Sequence, residues 1–481
     1  MTTGRRPRRQ RPETGCHGRL ARPCLLAAPL FLLLSSPAHA QTTHTVSPDG
    51  GADFTSIQDA ILASVDGDRI EVGPGTYGEA LDFSGRDVHV YSTGGVEATV
   101  IGPPPGVPAI SFVHQEGPGA RLSGFTITGA DTSAIPGEPL GGGIQVSDAC
   151  PTLTDLRIEG NRAQRGGGIR IENDAHPLLQ RLVVTSNIAE GDGGGIYLEG
   201  SSPTLIDVEL RDNSVVTGSG GGLGLGPGSY PRLHRVLVEG NVAAVDGGGI
   251  HLLGKGDEGL PVDASLSQVT LAGNRCDLAG GGGHGANLFL GSDTRAAVVN
   301  SIVADGVGGA GIYTQDWTPA NPSLQVTYST LWNNAAGEVV SGTHGELTGV
   351  AGDVGNLTED PRFADPDSDD YELGEGSPCV DTGDPSVEDP DGSPADMGAY
   401  GGPWEVAHDT GDCAAEDGDP GDAGDDDDSA EVVYKKCVCS AGGSPQPPLE
   451  LATLALLVLA RRGRRRSPGR ASALGGASRS V

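Results

Sequence analysis

Two aspartates, Asp192 and Asp246, each stand directly before a run of three glycines. Glycoside hydrolysis needs two carboxyl groups at a fixed separation, one of them serving as the acid. If the repeats that carry them stack as successive coils, these two lie two coils apart, about 9–10 Å, near the upper limit for an inverting pair. After each glycine run comes an alternating segment whose outward stripe reads Gln145, Arg170, Tyr197, Gly224 and His251. A second outward stripe reads Ser147, Glu172 and Glu199. Polar and aromatic groups repeating about every 4.8 Å could grip sugar rings and hydroxyls, although the same residues also suit an ordinary solvated sheet face. A lyase would need a Lys or Arg base beside cation-binding carboxylates. The 15 basic residues between 69 and 362 form no such cluster with acids on one stripe. The chain contains neither a G-x-S-x-G elbow nor an H-E-x-x-H motif.

What must position these residues is a repeat. Aligned on the glycines, the copies read GGGIQV from 141, GGGIRI from 166, GGGIYL from 193, GGGLGL from 220 and GGGIHL from 247. Each is followed by a second element that opens on proline (Pro151, Pro177, Pro203, Pro231) or, in a looser copy, on Ala264. Each second element closes on asparagine: Asn161, Asn187, Asn213, Asn241 and Asn274. Self-similarity at about 26 residues is the signature of a solenoid. Within a copy the apolar residues alternate, as in a strand: Ile169 and Ile171 inward, Arg170 and Glu172 outward. No segment of the repeat shows helical spacing over ten residues. Each copy therefore holds two or three short strands that bury their apolar face only when coils stack in parallel. Glycines permit the corners, proline opens a strand at little cost in ladder bonds, and asparagine tolerates left-handed backbone and bonds along a ladder. The asparagines are assigned a structural role. Upstream, Thr55-Ser56-Ile57-Gln58 reads as a capping box opening a short helix with Ile57, Ile61 and Leu62 on one apolar face, covering the open end of the core. DRIEVGPGTY (68–77), DVHVYS (87–92) and ARLSGFTITG (120–129) continue the strand–turn pattern.

The 481-residue chain carries 79 glycines and a formal net charge of -33. The ends differ from the body: seven Arg and one Glu lie in 1–40, seven Arg and no acid in 461–481, which leaves 17 basic and 63 acidic residues between them. Such a body would repel nucleic acid, acidic headgroups and anionic polysaccharide not bridged by divalent cations. Residues 1–40 read as a signal peptide: a basic region, a short apolar run from Leu25 to Leu34, and Ala38-His39-Ala40 as the cleavage site. At the other end an acidic linker (407–436) precedes a tail (437–481) with Cys437 and Cys439, a short apolar run from Leu449 to Ala460 and an Arg cluster. The six cysteines outside the signal include Cys379 and Cys413, a pair that an oxidising compartment permits to bond.

Three resemblances follow from these residues. The Cys–apolar–Arg order of the tail is similar to the C-terminal sorting signals of myxobacterial surface proteins, although the apolar run is short and further residues follow the Arg cluster; a membrane-associated tail is the alternative. The opening coils, about residues 42–345 in all, resemble the pectin-lyase-like superfamily, and the GGGI…N pairing resembles the repeats of polymorphic outer membrane proteins. Both imply a right-handed parallel β-helix. Within it, Gly283-His284-Gly285 matches one short polygalacturonase motif, making His284 a catalytic candidate, but that family's companion motifs are missing. The acidic, turn-rich stretch 346–406 resembles the element that closes such helices. There Asp365, Asp367, Asp369 and Asp370 could hold Ca²⁺ or form a solvated acidic turn.

The expected molecule is an all-β, right-handed parallel β-helix solenoid (41–345) with a short N-terminal capping helix. It is secreted and displayed on the surface or outer membrane of a Gram-negative bacterium, with its tail associated with the membrane. It binds a polysaccharide or a surface protein, does not bind nucleic acid, and requires no cofactor beyond a Ca²⁺ ion left open. Two alternatives stand beside this: a polysaccharide lyase or glycoside hydrolase, and a structural coat component.

Overall fold

A computed structural model of the chain describes residues 40–135, 140–255, 260–277, 284–315, 324–342, 345–346 and 354–402. The signal region, the acidic linker and the Cys437/Cys439 tail lie outside these. Over the described residues from Gln41 to Ser341 the chain is a right-handed parallel β-helix. The glycine-triplet strands pair in parallel and in register: Ile144 with Ile169, Ile169 with Ile196, Ile196 with Leu223, and Leu223 with Ile250. Leu288, Ile312 and Val339 continue the column through three more coils. The second elements form the longest ladder, in which Thr152–Glu159, Leu178–Thr185, Thr204–Arg211, Arg232–Glu239 and Val262–Ala272 stack in order. A third set of two-residue strands, Arg162–Ala163 to Arg275–Cys276, turns the remaining corner. One apolar core runs through all coils, from Val46 to Val339, with almost every member fully buried.

Three local details differ from simple alternation. The long strands carry a left-handed residue in mid-course: Asp155, Arg181, Asp207, Arg235 and Gln268 have φ of 50–55°. That bend explains why inward residues are spaced three apart and then two, as in Leu205, Val208 and Leu210. Its side chains point out and stack. Like charges one coil apart would repel, and the column alternates in sign: Arg181 forms two bonds to Asp155 (2.6 and 2.8 Å), and Arg235 two to Asp207 (2.6 and 2.8 Å). At the strand ends, left-handed backbone belongs to the residue before each asparagine (Gly160, Ser186, Asp212, Gly240, Gly273), not to the asparagine. The asparagines are buried for another reason. Asn187 donates its N–H to Asn213 Oδ1 (3.0 Å) and its Nδ2 to Ile158 O (2.8 Å) and Asn213 Oδ1 (3.1 Å). The same set recurs at Asn161, Asn213 and Asn241, and Asn287 and Asn334 extend the column past Asn274. At the other end, the helix Ile57–Ala63 is capped by Ser56 rather than Thr55, and Glu79, not Gln58, accepts the N–H groups of Ile57 and Gln58. Its buried face is Ile57, Ala60 and Ile61, and Leu62 is exposed.

The segment expected to close the helix reaches beyond the last coil. Residues 354–357 pair with the last coil through Thr330 and Leu357. The following stretch then lies along the outside of the long-strand ladder. Tyr371, Ala399 and Phe363 pack on Leu237 and Ala272; Cys379 and Met397 pack on Ile302 and Ala304, with Trp332 alongside. The Asp384 and Ala399 amides donate to Asn300 Oδ1 and Thr270 Oγ1. Register explains the placement: outward positions that are Arg157 and Glu209 in earlier coils become Leu237, Thr270 and Ile302 here. Cys379 is a free, buried thiol against Thr330, so it does not bond to Cys413.

Under this brace Glu239 is buried, 3.5 Å from Tyr371 Oη and 3.6 Å from Arg211. Burial pushes its carboxyl up to about 7, and Asp212 and Asp369 add to the rise against the opposing pull of Arg211. The docked state therefore takes up a proton that the undocked chain would not bind until the ordinary carboxylate range. Brace docking should be tightest at pH near the ordinary carboxylate range and lose this contribution, on the order of 1–2 kcal/mol, as pH rises through 7, with no further change well above it. Hydrogen exchange over 363–373, corrected for intrinsic rates, should show more protection at pH 6 than at pH 8.5. Glu239→Gln should remove the difference; an unchanged pH response in that variant would exclude Glu239 as its source.

Candidate functional site

The glycine triplets fold back over the strands they precede. Gly166, Gly193, Gly220 and Gly247 have φ of 61–71°, and a Cβ on Gly193 would lie 2.8 Å from Tyr197 Cβ. This close approach covers the outward stripe, correcting the expectation of an open gripping face. Gln145, Arg170 and Tyr197 are 5%, 3% and 5% exposed. Gln145 accepts from Gly141 N and donates to Glu172. Arg170 pairs with Glu172 through Nε (3.1 Å) and Nη2 (2.5 Å). Tyr197 lies over Gly224 and Gly226 of the next coil, with the Arg165 guanidinium 5.1 Å from its ring centre. Burial pushes its phenol up to about 12. Glu172 and Glu199 are partly exposed, and Glu199 lies 3.7 Å from Arg165.

The exposed chemistry lies further along the same face. His251, Phe289 and Tyr313 continue the outward column in successive coils, with centroids 5.0 and 5.4 Å apart and ring planes within 12° and 6°. Burial holds the His251 imidazole below its usual range, against the opposing pull of Asp192 and Asp246. His284 tilts onto Tyr313 at 4.4 Å between centroids. Its Nδ1 lies 3.1 Å from Asp246 Oδ1, which also accepts the His284 N–H at 2.9 Å. Asp246 Oδ2 has no hydrogen bond among the described residues. Asp192, Ser219, Asp246 and His284 occupy one turn column, so the two aspartates are separated by the Ser219 coil. Asp192 Oδ1 accepts the Ser219 N–H, and its other oxygen lies 3.7 Å from Arg165.

The structure thus brings Asp246, His251 and His284 together with two rings, Phe289 and Tyr313, that sequence reasoning missed. The missed signal was ANLFL (286–290) and AGIYT (310–314), which keep the strand pattern after the glycine triplet loses its usual spacing. A partly exposed tyrosine beside an imidazole anchored by a carboxylate can stack on the C–H face of a sugar and bond to its hydroxyls.

Of the two arrangements open for the acidic turn, its side chains take the solvated one, with residues 365–369 exposed. Asp365 accepts from Ser368 Oγ, Asp369 faces Arg211 at 3.8 Å, and Asp370 accepts from the Glu372 amide. These, with Asp367, do not converge. Asp381, Asp389 and Asp396 do, with carboxylate oxygens within 4.8 Å of one another, and among the described residues they are the set that could share a hard cation. The Asp396 carboxyl is raised by burial and by Asp389 and Asp381.

No protein-family model matches this chain, and no curated protein matches it. Solved structures similar to it include pectate lyase Pel9A, at 14% identity over 75% of this chain and 96% of that one, with a TM-score of 0.42. A pectin methylesterase from carrot is 12% identical over 63% and 85%, TM-score 0.32. The pectin methylesterase PemA from Erwinia chrysanthemi is 11% identical over 70% and 98%, TM-score 0.30.

Proposed function

We propose that this chain is a secreted, surface-displayed β-helix protein that binds a glycan, without cleaving it, through the outer face around Asp246, His284 and Tyr313. The observation that carries the reading is the contact of the Asp246-anchored His284 ring with the partly exposed Tyr313, backed by the Phe289 and His251 rings. Secretion and display rest on the basic–apolar–AHA order of residues 1–40 and the Cys–apolar–Arg order of 437–481, with the tail holding the protein at a membrane. Binding rather than cleavage is favoured because both carboxylates, Asp192 and Asp246, already serve as acceptors for backbone amides. In that arrangement one oxygen of each is committed to orienting a neighbour, and the two aspartates lie two coils apart, at the upper limit of separation for an inverting pair. An enzymatic reading keeps one observation on its side: Asp246 holds a surface imidazole in a fixed orientation, as a general base requires.

The test is titration of the mature protein with a polysaccharide panel, with and without Ca²⁺, while following new reducing ends and the absorbance of unsaturated sugars. The expected result is binding without either product, weakened about tenfold or more by Tyr313→Ala and by His284→Ala, in line with the roughly 1.4 kcal/mol that a tenfold change represents. Turnover abolished by His284→Ala would establish the enzyme instead. Neither binding nor turnover would leave a coat component. Mass spectrometry of the surface-extracted protein should find Gln41 at its N-terminus.

A further inference from the structure

The first coils carry a different outward column. Arg69, His89 and Arg121 occupy equivalent positions in three successive parallel strands, so their side chains leave the same face of the long-strand ladder one coil apart, about 4.8 Å per step. Arg69 stacks on Tyr91 at 4.8 Å, and the His89 and Tyr91 rings lie 5.0 Å apart. His89 Nε2 meets Ser123 Oγ at 3.1 Å, and Tyr91 Oη donates to Glu71. Arg121 donates Nε to the Pro118 carbonyl and stands exposed. Among the described residues neither Arg69 nor Arg121 forms an ion pair.

Two contrasts make this unusual. Between residues 41 and 460 there are 63 acidic and 17 basic residues, so carboxylates are not scarce. Where arginines stack on the same sheet for structural reasons, the chain alternates sign, Asp155–Arg181–Asp207–Arg235, and each arginine is held by two bonds. In the first coils two guanidinium groups flank an imidazole with no acid between them in the column; Glu71, on the neighbouring column, is engaged by Tyr91. Two guanidinium groups with a neutral imidazole between them leave the charge of this column uncompensated by any acid within it.

We propose that Arg69, His89 and Arg121, with the Tyr91 ring beside them, form an oxyanion-binding site for the sulfate or carboxylate groups of an acidic glycan. The site is separate from the Tyr313 face and does not depend on it. Guanidinium groups two coils apart can each take an oxyanion, and Ser123 and His89 supply neutral donors between them. The contacts are charge pairs at the surface that salt screens, so binding weakens severalfold between 50 and 200 mM salt.

The experiment titrates the full mature protein with dextran sulfate, polygalacturonate, neutral dextran and sodium sulfate at 50 and 200 mM salt. At least one charged polymer should bind at low salt and weaken severalfold at 200 mM, and neutral dextran should not bind at this site. The R69Q/R121Q double variant should lose tenfold or more, whereas R181Q, which breaks an arginine already paired, should leave the affinity within twofold. Which charged polymer binds tells sulfate from carboxylate, and competition by sodium sulfate would show that a single oxyanion suffices. The His89 ring protons should shift on binding. No charged polymer binding at 50 mM salt, or equal affinity in the double variant, would overturn the proposal. Any binding that Tyr313→Ala removes belongs to the other face and is unaffected by R69Q/R121Q.

Discussion

Asn213→Ala is expected to destabilise the β-helix by about 3–5 kcal/mol, read as a shift of the denaturant midpoint. The side chain sits in the middle of the asparagine column and serves both neighbouring coils. Its Oδ1 accepts the Asn187 N–H and Nδ2, while its Nδ2 donates to Val184 O and to Asn241 Oδ1. Truncation leaves several fully buried partners without bonds, each costing about 1–3 kcal/mol. Water cannot easily substitute, because Asn187, Asn213 and Asn241 are 0% exposed. A loss below about 1 kcal/mol would mean that the column is an accident of stacking rather than a source of stability.

Gly194→Ala should cost still more, above about 4 kcal/mol, or prevent folding. A Cβ there would lie 2.5 Å from Gly221 O and 2.5 Å from Ser214 O. Both are backbone atoms of the next coil, so no side chain can swing aside. Gly200 offers the contrast. Its φ is +57° but nothing lies within 4 Å of the added atom, so Gly200→Ala should cost only about 1 kcal/mol. Equal costs at the two sites would show that the close approach of coils is not what requires glycine at 194.

How much of this was readable in the amino-acid order depends on whether a residue's role is repeated. The β-helix was legible because each coil places the same side chain at the same step: one isoleucine column cannot be satisfied without its neighbours. Roles fixed by a neighbour in space were not legible. Arg170 alternates as an outward residue should, yet the triplet turn lies over it and Glu172 neutralises it, so outward did not mean exposed. The left-handed bend at Asp207 was hidden because the equivalent Arg181, Arg235 and Gln268 give no signal of positive φ, whereas the Asp/Arg alternation along the column, read across coils, would have disclosed it. The brace was likewise foreshadowed where Glu209 gives way to Leu237, an apolar side chain on an outward position that some other segment had to cover. For the site, Asp246, His251 and His284 were visible as residue types. Phe289 and Tyr313 were not, because the glycine spacing that marks each coil changes after Asn274.

In the proposed function, glycan meets this protein at the ring column of the triplet sheet. Chemical-shift mapping with labelled tyrosine and histidine tests it directly. On adding a bound oligosaccharide, the Tyr313 and His284 ring signals should move together while those of buried Tyr197 stay in place. Shifts confined to other rings, with Tyr313 and His284 unmoved at saturation, would contradict it.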